Sequence, residues 1–522
     1  MTAQHSTPSP DTTAQTIDVA ALMQENAELK RQLAWFKRQL FGRKSEVRPV
    51  EPNPNQLTLE GLMGEPVPPL PEIETETVTY QRGKAKKRRA DDCVTEHGLR
   101  FGPDVPVTCI PVPAPELQRS DADQYEIIDV RKTYRLAQRP ASYEVLCYER
   151  PVLKRRTTST LITTPMPSTV LDNSLADVSL LAGLMIDKFL YHLPLYRQHQ
   201  RLQQASIDVS RATLTNLVKH AIELLRPIAE AMLVSILSSR ILAMDETPVK
   251  AGNKKGGMKQ AWFWPLLGDA GEIAFTFSPS RGRRHIETIL HREFDGTLVS
   301  DGYSAYSSYI EANTKITHAQ CWVHTRRYFL AAQEGEPDAE RVLEHIAYLY
   351  RVEECIAEQA LSGEQKRRQR LETSKPVVDQ LFAWCRGRLE RGDLLPKDPL
   401  TTAIGYTLKR EHALRVFLED PDVPLDNNHT ERALRPIALG RKNWLFCWTE
   451  IGAKHVGIIQ SLIATCKLQE VDPYTYLVDV LQRVAIHPAK KVGELTPRQW
   501  KTRFADNPLR SDIHRGVDPP GK

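Results

Sequence analysis

The 522-residue chain reads as an α/β protein of several domains, and three features carry that reading. Between residues 240 and 324, short apolar segments of strand type alternate with helical ones in the order β, β, β, α, β, α, β, the pattern of a sheet whose faces are covered by helices. Residues 175–225 and 337–420 instead repeat their apolar positions at helical spacing. The third feature is length: with 41% hydrophobic side chains the chain exceeds the needs of one ordinary core and predicts about two to four domains.

Lys+Arg 70 against Asp+Glu 65 leaves a net charge of +5, which excludes a polycation and requires any nucleic-acid surface to come from local basic clusters. The start, MTAQHSTPSPDTT, lacks a basic stretch followed by an apolar one, and no apolar run reaches membrane-spanning length. A soluble, cytoplasmic protein with no membrane partner is expected. The eight cysteines contain no CxxC, so neither a zinc ribbon nor a redox dithiol is written in the sequence, and the thiols are expected to be structural.

Residues 17–45 form the first element. From Ile17 to Phe41 there is no Gly or Pro, and a heptad places Val19, Asn26, Leu33 and Leu40 at one core position and Leu22, Leu29 and Phe36 at the other. A helix packed on its own protein fits this stripe too. Asn26 favours a short parallel coiled coil, because an amide in an apolar seam is costly unless it meets its counterpart, so self-association as a dimer or higher through Leu22, Asn26, Leu29 and Leu33 is expected.

Residues 46–90 are rich in proline and acid and read as a linker, ending in the basic arm Lys84, Lys86, Lys87, Arg88 and Arg89. Such a run serves either as a solvated arm or as a set of phosphate contacts. Residues 91–165 carry the β-type segments YEIIDVRKTYRL and SYEVLCYERPVL and predict a small β-rich module. Residues 170–235 are helical, with a break at ASIDVS. Ser210 is a suitable N-cap there, and Ile207, Leu214 and Leu217 would make the core of a helix-turn-helix exposing Arg211, Thr213 and Asn216 to DNA. A plain helical hairpin fits the same pattern.

The segments RILAMDET and GTLVSDGYSAY are apolar strands ending in Asp245 and Asp301, and AWFWPLLG with EIAFTFS forms a hairpin across Asp269, Ala270 and Gly271. ITHAQCWVH reads as a further strand. Acids often end strands as turn formers, which suffices for either residue alone. Two carboxylates at neighbouring strand ends repel one another unless a hard cation lies between them, and in this strand order the pair points to magnesium. A third acid is expected from the helix DNNHTERALRPIALGRKNW, where Asn427, Asn428, Glu431 and Arg435 fall on one face; a salt-bridged surface face would look similar. Pro436 is expected to end or kink that helix, and Arg441, Lys442 and Asn443 add anion-binding groups.

Taken together, the zipper followed by FGRKSE, then MDETPVK, SDGYSAY, QCWVHTRRYF and above all NNHTERALRPIALGRKNWLF resemble the transposases of the insertion sequence 66 family over most of the chain. The resemblance implies a DDE transposase with a ribonuclease-H-like core, here at 238–335 and 421–470, and Asp245, Asp301 and Glu431 as its metal-binding triad. The step from Asp245 to Asp301 is 56 residues (301 − 245), but from Asp301 to Glu431 it is 130 (431 − 301), so an all-helical insertion is expected at 336–420. A C-terminal helical segment and tail occupy 471–522. Two Mg2+ ions, double-stranded DNA as element ends and target, and accessory proteins of the same element are further implications.

His324 and Arg326 are expected in the cleft near phosphate, a core histidine being the plainer reading of His324. Related transposases carry a cysteine-rich zinc segment after the linker, whereas here only isolated Cys93, Cys109 and Cys147 occupy it, so that zinc site is expected to be lost. The implied reaction is metal-dependent cleavage and strand transfer. The rival readings are a metal-dependent nuclease on the same core and a noncatalytic DNA-binding regulator.

Overall fold

The computed structural model describes residues 99–514, short stretches at 102–104, 140–141, 157–160, 253–256, 292–293, 334–335, 445–446 and 448 excepted. The heptad residues Leu22, Asn26, Leu29 and Leu33, the cluster at 84–89 and the segments 17–45 and 46–90 lie outside the described residues. All described residues belong to one compact unit, 90–522.

Strands β1 (Arg100–Phe101), β2 (Val107–Pro111), β3 (Tyr125–Arg139), β4 (Ser142–Arg155) and β5 (Leu161–Thr163) come first. β3 and β4 form a long antiparallel pair from Tyr125 opposite Arg155 to Arg139 opposite Ser142, with one irregularity between Ile127 and Asp129. β2 runs parallel to one end of β4 and β5 antiparallel to the other. Period-2 patterning sorts the faces: Ala137, Leu146 and Tyr148 pack with Ile513, while Leu136 and Val145 face the main core.

Helices α1 (Val178–Phe189), α2 (Leu195–Gln204) and α3 (Arg211–Leu237) follow, with β6 (Ile207–Asp208) between the last two and paired to β1. Ser210 caps α3, its Oγ accepting from Thr213 N at 3.0 Å, which satisfies a donor that the first turn leaves open. Ile207, Leu214 and Leu217 are buried beneath the turn, and Arg211 and Asn216 are exposed.

The central sheet contains β7 (Ile241–Met244), β8 (Thr247–Gly252), β9 (Met258–Gly268), β10 (Ile273–Ser278), β11 (Thr297–Ser300) and β12 (Thr317–Gln320), in the order β10-β9-β7-β11-β12 with β8 also paired to β9. β7, β11 and β12 are parallel, and β9 is antiparallel to β7, β8 and β10. β7 and β11 are buried along their whole length, which is why they read as unbroken apolar runs. Helices α4 (Arg283–Leu290), α5 (Ser304–Glu311) and α6 (Trp322–Gln333) connect or follow these strands. The strand expected through His324 stops at Gln320: the indole of Trp322 donates to Leu414 O at 2.9 Å, and the chain turns there into α6, so His324 is a helical residue.

Helices α7 (Asp338–Glu358), α8 (Gly363–Gln369), α9 (Lys375–Glu390), α10 (Pro399–Leu408) and α11 (Glu411–Glu419) occupy the long interval between Asp301 and Glu431. Their buried side chains, among them Val342, Ile346, Leu381, Phe382 and Phe417, share one cluster with Ala243, Val299 and Ala319. The helices thus cover one face of the sheet, and Leu242, Met244 and Leu298 point into the larger core on the other.

The chain ends in α12 (Asn428–Trp444), α13 (Glu450–Leu468), α14 (Pro473–Arg483) and α15 (Pro497–Arg503). α12 continues past Pro436 instead of ending there, and Arg432, whose carbonyl loses its helical donor to the proline, is an exposed residue. α13 covers the outer edge of the sheet. Ser461 Oγ and Thr465 Oγ1 accept from the backbone of Phe275 (2.8 Å) and Ile273 (3.0 Å), satisfying strand donors that an open edge would expose.

Candidate active site

Parallel pairing sets the two aspartates side by side. β7 and β11 are in register from Ile241 opposite Thr297 to Ala243 opposite Val299, and continuing that register brings Asp301 beside Asp245, each the first residue past or just beyond its strand. Neighbouring strands lie about 4.8 Å apart, so both acids leave the sheet at the same carboxyl edge. Asp245 Oδ1 accepts from Glu246 N at 2.7 Å and Asp301 Oδ1 from Tyr303 N at 2.9 Å, turns that aim each side chain off the strand end.

Glu431 arrives on the first turn of α12. The helix start is docked to the sheet by Asn427, whose Nδ2 donates to Met244 O at 3.1 Å and whose backbone N–H donates to Cys321 Sγ at 3.3 Å. Glu431 accepts both contacts of a forked bond from Arg327 Nη2, at 3.0 and 2.8 Å, and lies 3.8 Å from His324 Nε2.

Electrostatics bind these groups into one site. Burial, and then the neighbouring carboxylates of Glu246, Asp301 and Glu431, push the Asp245 carboxyl up to about 8. Burial also holds the His324 imidazole below its usual range, with Arg327 acting in the same direction against the pull of Asp301 and Glu431. The oxygens of Asp245, Asp301 and Glu431 do not all close to within 4.8 Å; among the described residues that tighter convergence of ligand atoms occurs at Cys109, Cys147 and Glu149. Glu431 is held in its ion pair with Arg327, and a hard divalent cation is the species that could draw the three carboxylates together. An all-carboxylate donor set suits magnesium by its chemistry.

Strand alternation predicts that Glu246 leaves the sheet on the face opposite Asp245, and its contact with Tyr306, which shares the larger core with Leu242 and Met244, agrees with that; yet its side chain is 2% exposed and stays electrostatically coupled to the aspartates. It accepts from Arg281 Nε at 2.9 Å and from the Tyr306 hydroxyl at 2.8 Å, and Arg281 lies over the Tyr303 ring at 4.1 Å. Burial and then Asp301 raise its pKa, against the effect of Arg281 and Tyr306. Glu246→Gln is therefore expected to slow the site chemistry by roughly 10-fold or more, the equivalent of a lost charge-assisted hydrogen bond of about 1.5 kcal/mol, without abolishing it. Nicking rates at saturating metal check this.

The remaining candidates divide by position. His324 and Glu431 share the site, and Arg326 is exposed on α6, but it is Arg327, one residue on, that grips Glu431. Asn427 is buried and turned inward, so it precedes the helix and does not share an outer face with Glu431. Asn428 is held by Asp426, whose Oδ1 accepts its backbone N–H at 2.9 Å. Arg435 and Lys442 are exposed, and half-buried Arg441 donates to Pro248 O. Arg327, Glu246, Arg281 and Tyr306 carry no periodic signal in the sequence.

A family model described as Transposase IS66 family matches residues 173–455, the IS66 C-terminal element matches 461–498, and a model described as Transposase C of IS166 homeodomain matches 28–96. The chain is 32% identical over 401 residues to the uncharacterized protein y4hP of Sinorhizobium fredii strain NGR234, covering 72% of this chain and 71% of the relative. The uncharacterized protein y4jD of the same strain is 28% identical over 510 residues, 93% of this chain and 96% of its own.

Proposed function

Because the chain belongs to the transposase IS66 family, we propose that the acids at the carboxyl edge of its sheet perform metal-dependent cleavage and strand transfer of DNA ends. The observation that carries this reading is the juxtaposition of Asp245 and Asp301 on neighbouring parallel strands with Glu431 on a helix docked to the same strand end. The strand order β10-β9-β7-β11-β12, with three antiparallel strands followed by two parallel additions, supports a ribonuclease-H-like core.

Asp245, Asp301 and Glu431 would hold two magnesium ions. Magnesium bound there supplies Lewis acidity toward phosphodiester oxygens and makes a water or a 3′-hydroxyl a better nucleophile. His324, kept largely neutral at neutral pH, stands beside Glu431 ready to accept or donate a hydrogen bond at the entering nucleophile. Arg327 is exposed at the rim and is placed to exchange Glu431 for a DNA phosphate.

DNA binding follows from the family and from the homeodomain description of the segment that includes 84–89. The capped α3, exposing Arg211 and Asn216 over a buried turn, supports a helix-turn-helix reader. Arg211→Ala and Asn216→Ala are expected to relax sequence preference more than they weaken binding to random duplex, as measured by competition binding; equal losses on both duplexes would make α3 a backbone contact. Self-association through the heptad and accessory proteins of the element complete the proposal. Among the described residues no helix is long and apolar enough to cross a membrane. A cytoplasmic location is part of the proposal and rests on the family's action on DNA.

Incubation of the protein with labelled element ends, target DNA and Mg2+ tests the reading. Joined product supports it, cutting without joining favours a nuclease, and metal-independent binding without cutting favours a regulator.

A further inference from the structure

We propose that Tyr328 is the outer rung of a stacking site for an unpaired DNA base beside the acid cluster, an inference that rests on the reading that this edge of the sheet handles DNA. The Tyr328 ring, on α6, stacks on that of Tyr406, on α10, with centroids 4.2 Å apart and planes inclined by 26°. The guanidinium carbon of Arg410 lies over the same Tyr406 ring at 3.8 Å. Two groups this close to one ring occupy its opposite faces, so Arg410, Tyr406 and Tyr328 form a ladder in that order.

The inner rungs are fixed to the turn that follows Asp301. Arg410 Nη2 donates to Gly302 O at 2.8 Å and its Nη1 to Tyr406 O at 3.1 Å. A Cβ at Gly302 would come within 2.4 Å of the Tyr406 hydroxyl, so the ring rests directly on the residue next to the aspartate. The outer rung is open. Tyr328 is 38% exposed, and because Tyr406 covers one face of its ring, the other face is the one left to water. Packing alone does not call for this ring, since buried Phe329, Ala403 and Ile404 already share the core that joins α6 to α10.

Helix geometry sets where the open face lies. Tyr328 is four residues (328 − 324) beyond His324 and Arg327 is three, so all three side chains share one side of α6. His324 lies 3.8 Å from Glu431, and Arg327 donates to the same carboxylate. The open ring is thus one helical turn, about 5.4 Å, along α6 from groups that touch the acid site, within reach of the nucleotide next to a phosphate held there. Exposed Arg326 and Arg327 supply the cations that a DNA backbone passing this ring requires. A base inside a duplex has both faces covered by its neighbours, so the occupant is an unpaired base, and stacking accepts any of the four because each has a π-face.

The test titrates the full-length protein, without divalent metal so that nothing is cut, into a duplex with a single-stranded tail bearing the fluorescent adenine analogue 2-aminopurine, and into an unbroken duplex with the analogue inside. Wild type should quench the tail analogue on binding and leave the internal one unchanged. Y328A should abolish that quenching and weaken binding of the tailed duplex by roughly 5- to 150-fold, the usual loss for one stacked base, with the unbroken duplex bound as by wild type. Y328F keeps the ring and should retain both signals, whereas Y328L keeps apolar bulk on the helix and should lose them; this pair separates stacking from helix packing. Y348A removes an exposed tyrosine of α7 whose ring has Arg351 at 5.5 Å, and should change nothing. Quenching and affinity that persist in Y328L, or equal losses on the tailed and unbroken duplexes in Y328A, would overturn the stacking site and leave the functional reading standing. Wild type that binds neither DNA would overturn both.

Discussion

Asp245→Asn, Asp301→Asn and Glu431→Gln each reduce magnesium-dependent nicking and joining by on the order of 10³-fold or more, while DNA binding stays near wild type. The substitutions keep shape and remove charge, so the loss isolates the carboxylate's role in holding a cation. Asp245→Asn has a second expected effect of opposite sign. In the metal-free protein its carboxyl is raised from an ordinary value near 3.8 to about 8. Between those values the unfolded chain loses the proton and the folded chain keeps it. The folded state is accordingly penalised as pH rises through this window, and the penalty is complete above about 8. Asp245→Asn should raise the metal-free melting temperature at pH 8 and leave it unchanged near pH 3. Activity retained in all three variants, or full cleavage in excess chelator, would remove the triad from the account.

Arg370→Met destabilises the protein by about 3–5 kcal/mol, the usual cost of breaking one side of a buried ion pair. Arg370 is fully buried in the π-helical turn Arg370–Ser374 between α8 and α9. Its Nε and Nη2 donate to Glu353 at 2.8 and 2.7 Å, and its Nη1 donates to the carbonyls of Phe417 at 2.7 Å and Val423 at 3.0 Å. Those carbonyls belong to the chain that leaves α11 and delivers Asn427 and Glu431 to the sheet. The loss should therefore appear in urea unfolding and as reduced cleavage at temperatures where the variant remains folded. Arg368→Ala, at an exposed pair with Glu372, is the matched comparison and should leave the unfolding midpoint unchanged. Equal midpoints for the two variants would show that Arg370 contributes nothing beyond a surface pair.

The local elements were legible in the sequence because they depend on near neighbours. RILAM and TLVS are apolar on both faces and so are buried parallel strands, and the acids that follow mark where each strand leaves its cover. Ser210 could be read as a cap from its place before an amphipathic run, and the helices between Asp301 and Glu431 from their spacing. Where a long-range contact decides, the local rule failed. The stop of β12 before His324 goes with the bond from Trp322 to Leu414, and α12 runs on through Pro436 to Trp444.

The site was legible as a set of acids and illegible as an arrangement. Asp245 and Asp301 become neighbours only through the register of β7 with β11, and Glu431 joins them only through the docking of Asn427 on Met244. On a helix one residue is a turn of about 100°, and sequence cannot say which of Arg326 and Arg327 that rotation presents to Glu431. Cys109 and Cys147 are 38 residues apart (147 − 109) and meet because β2 pairs parallel to β4. Period and capping are properties of a short backbone segment and were determined by the sequence alone. The partners of Glu246, Glu431 and Cys147 were decided by which segments bury one another, a choice that exists only in the folded chain.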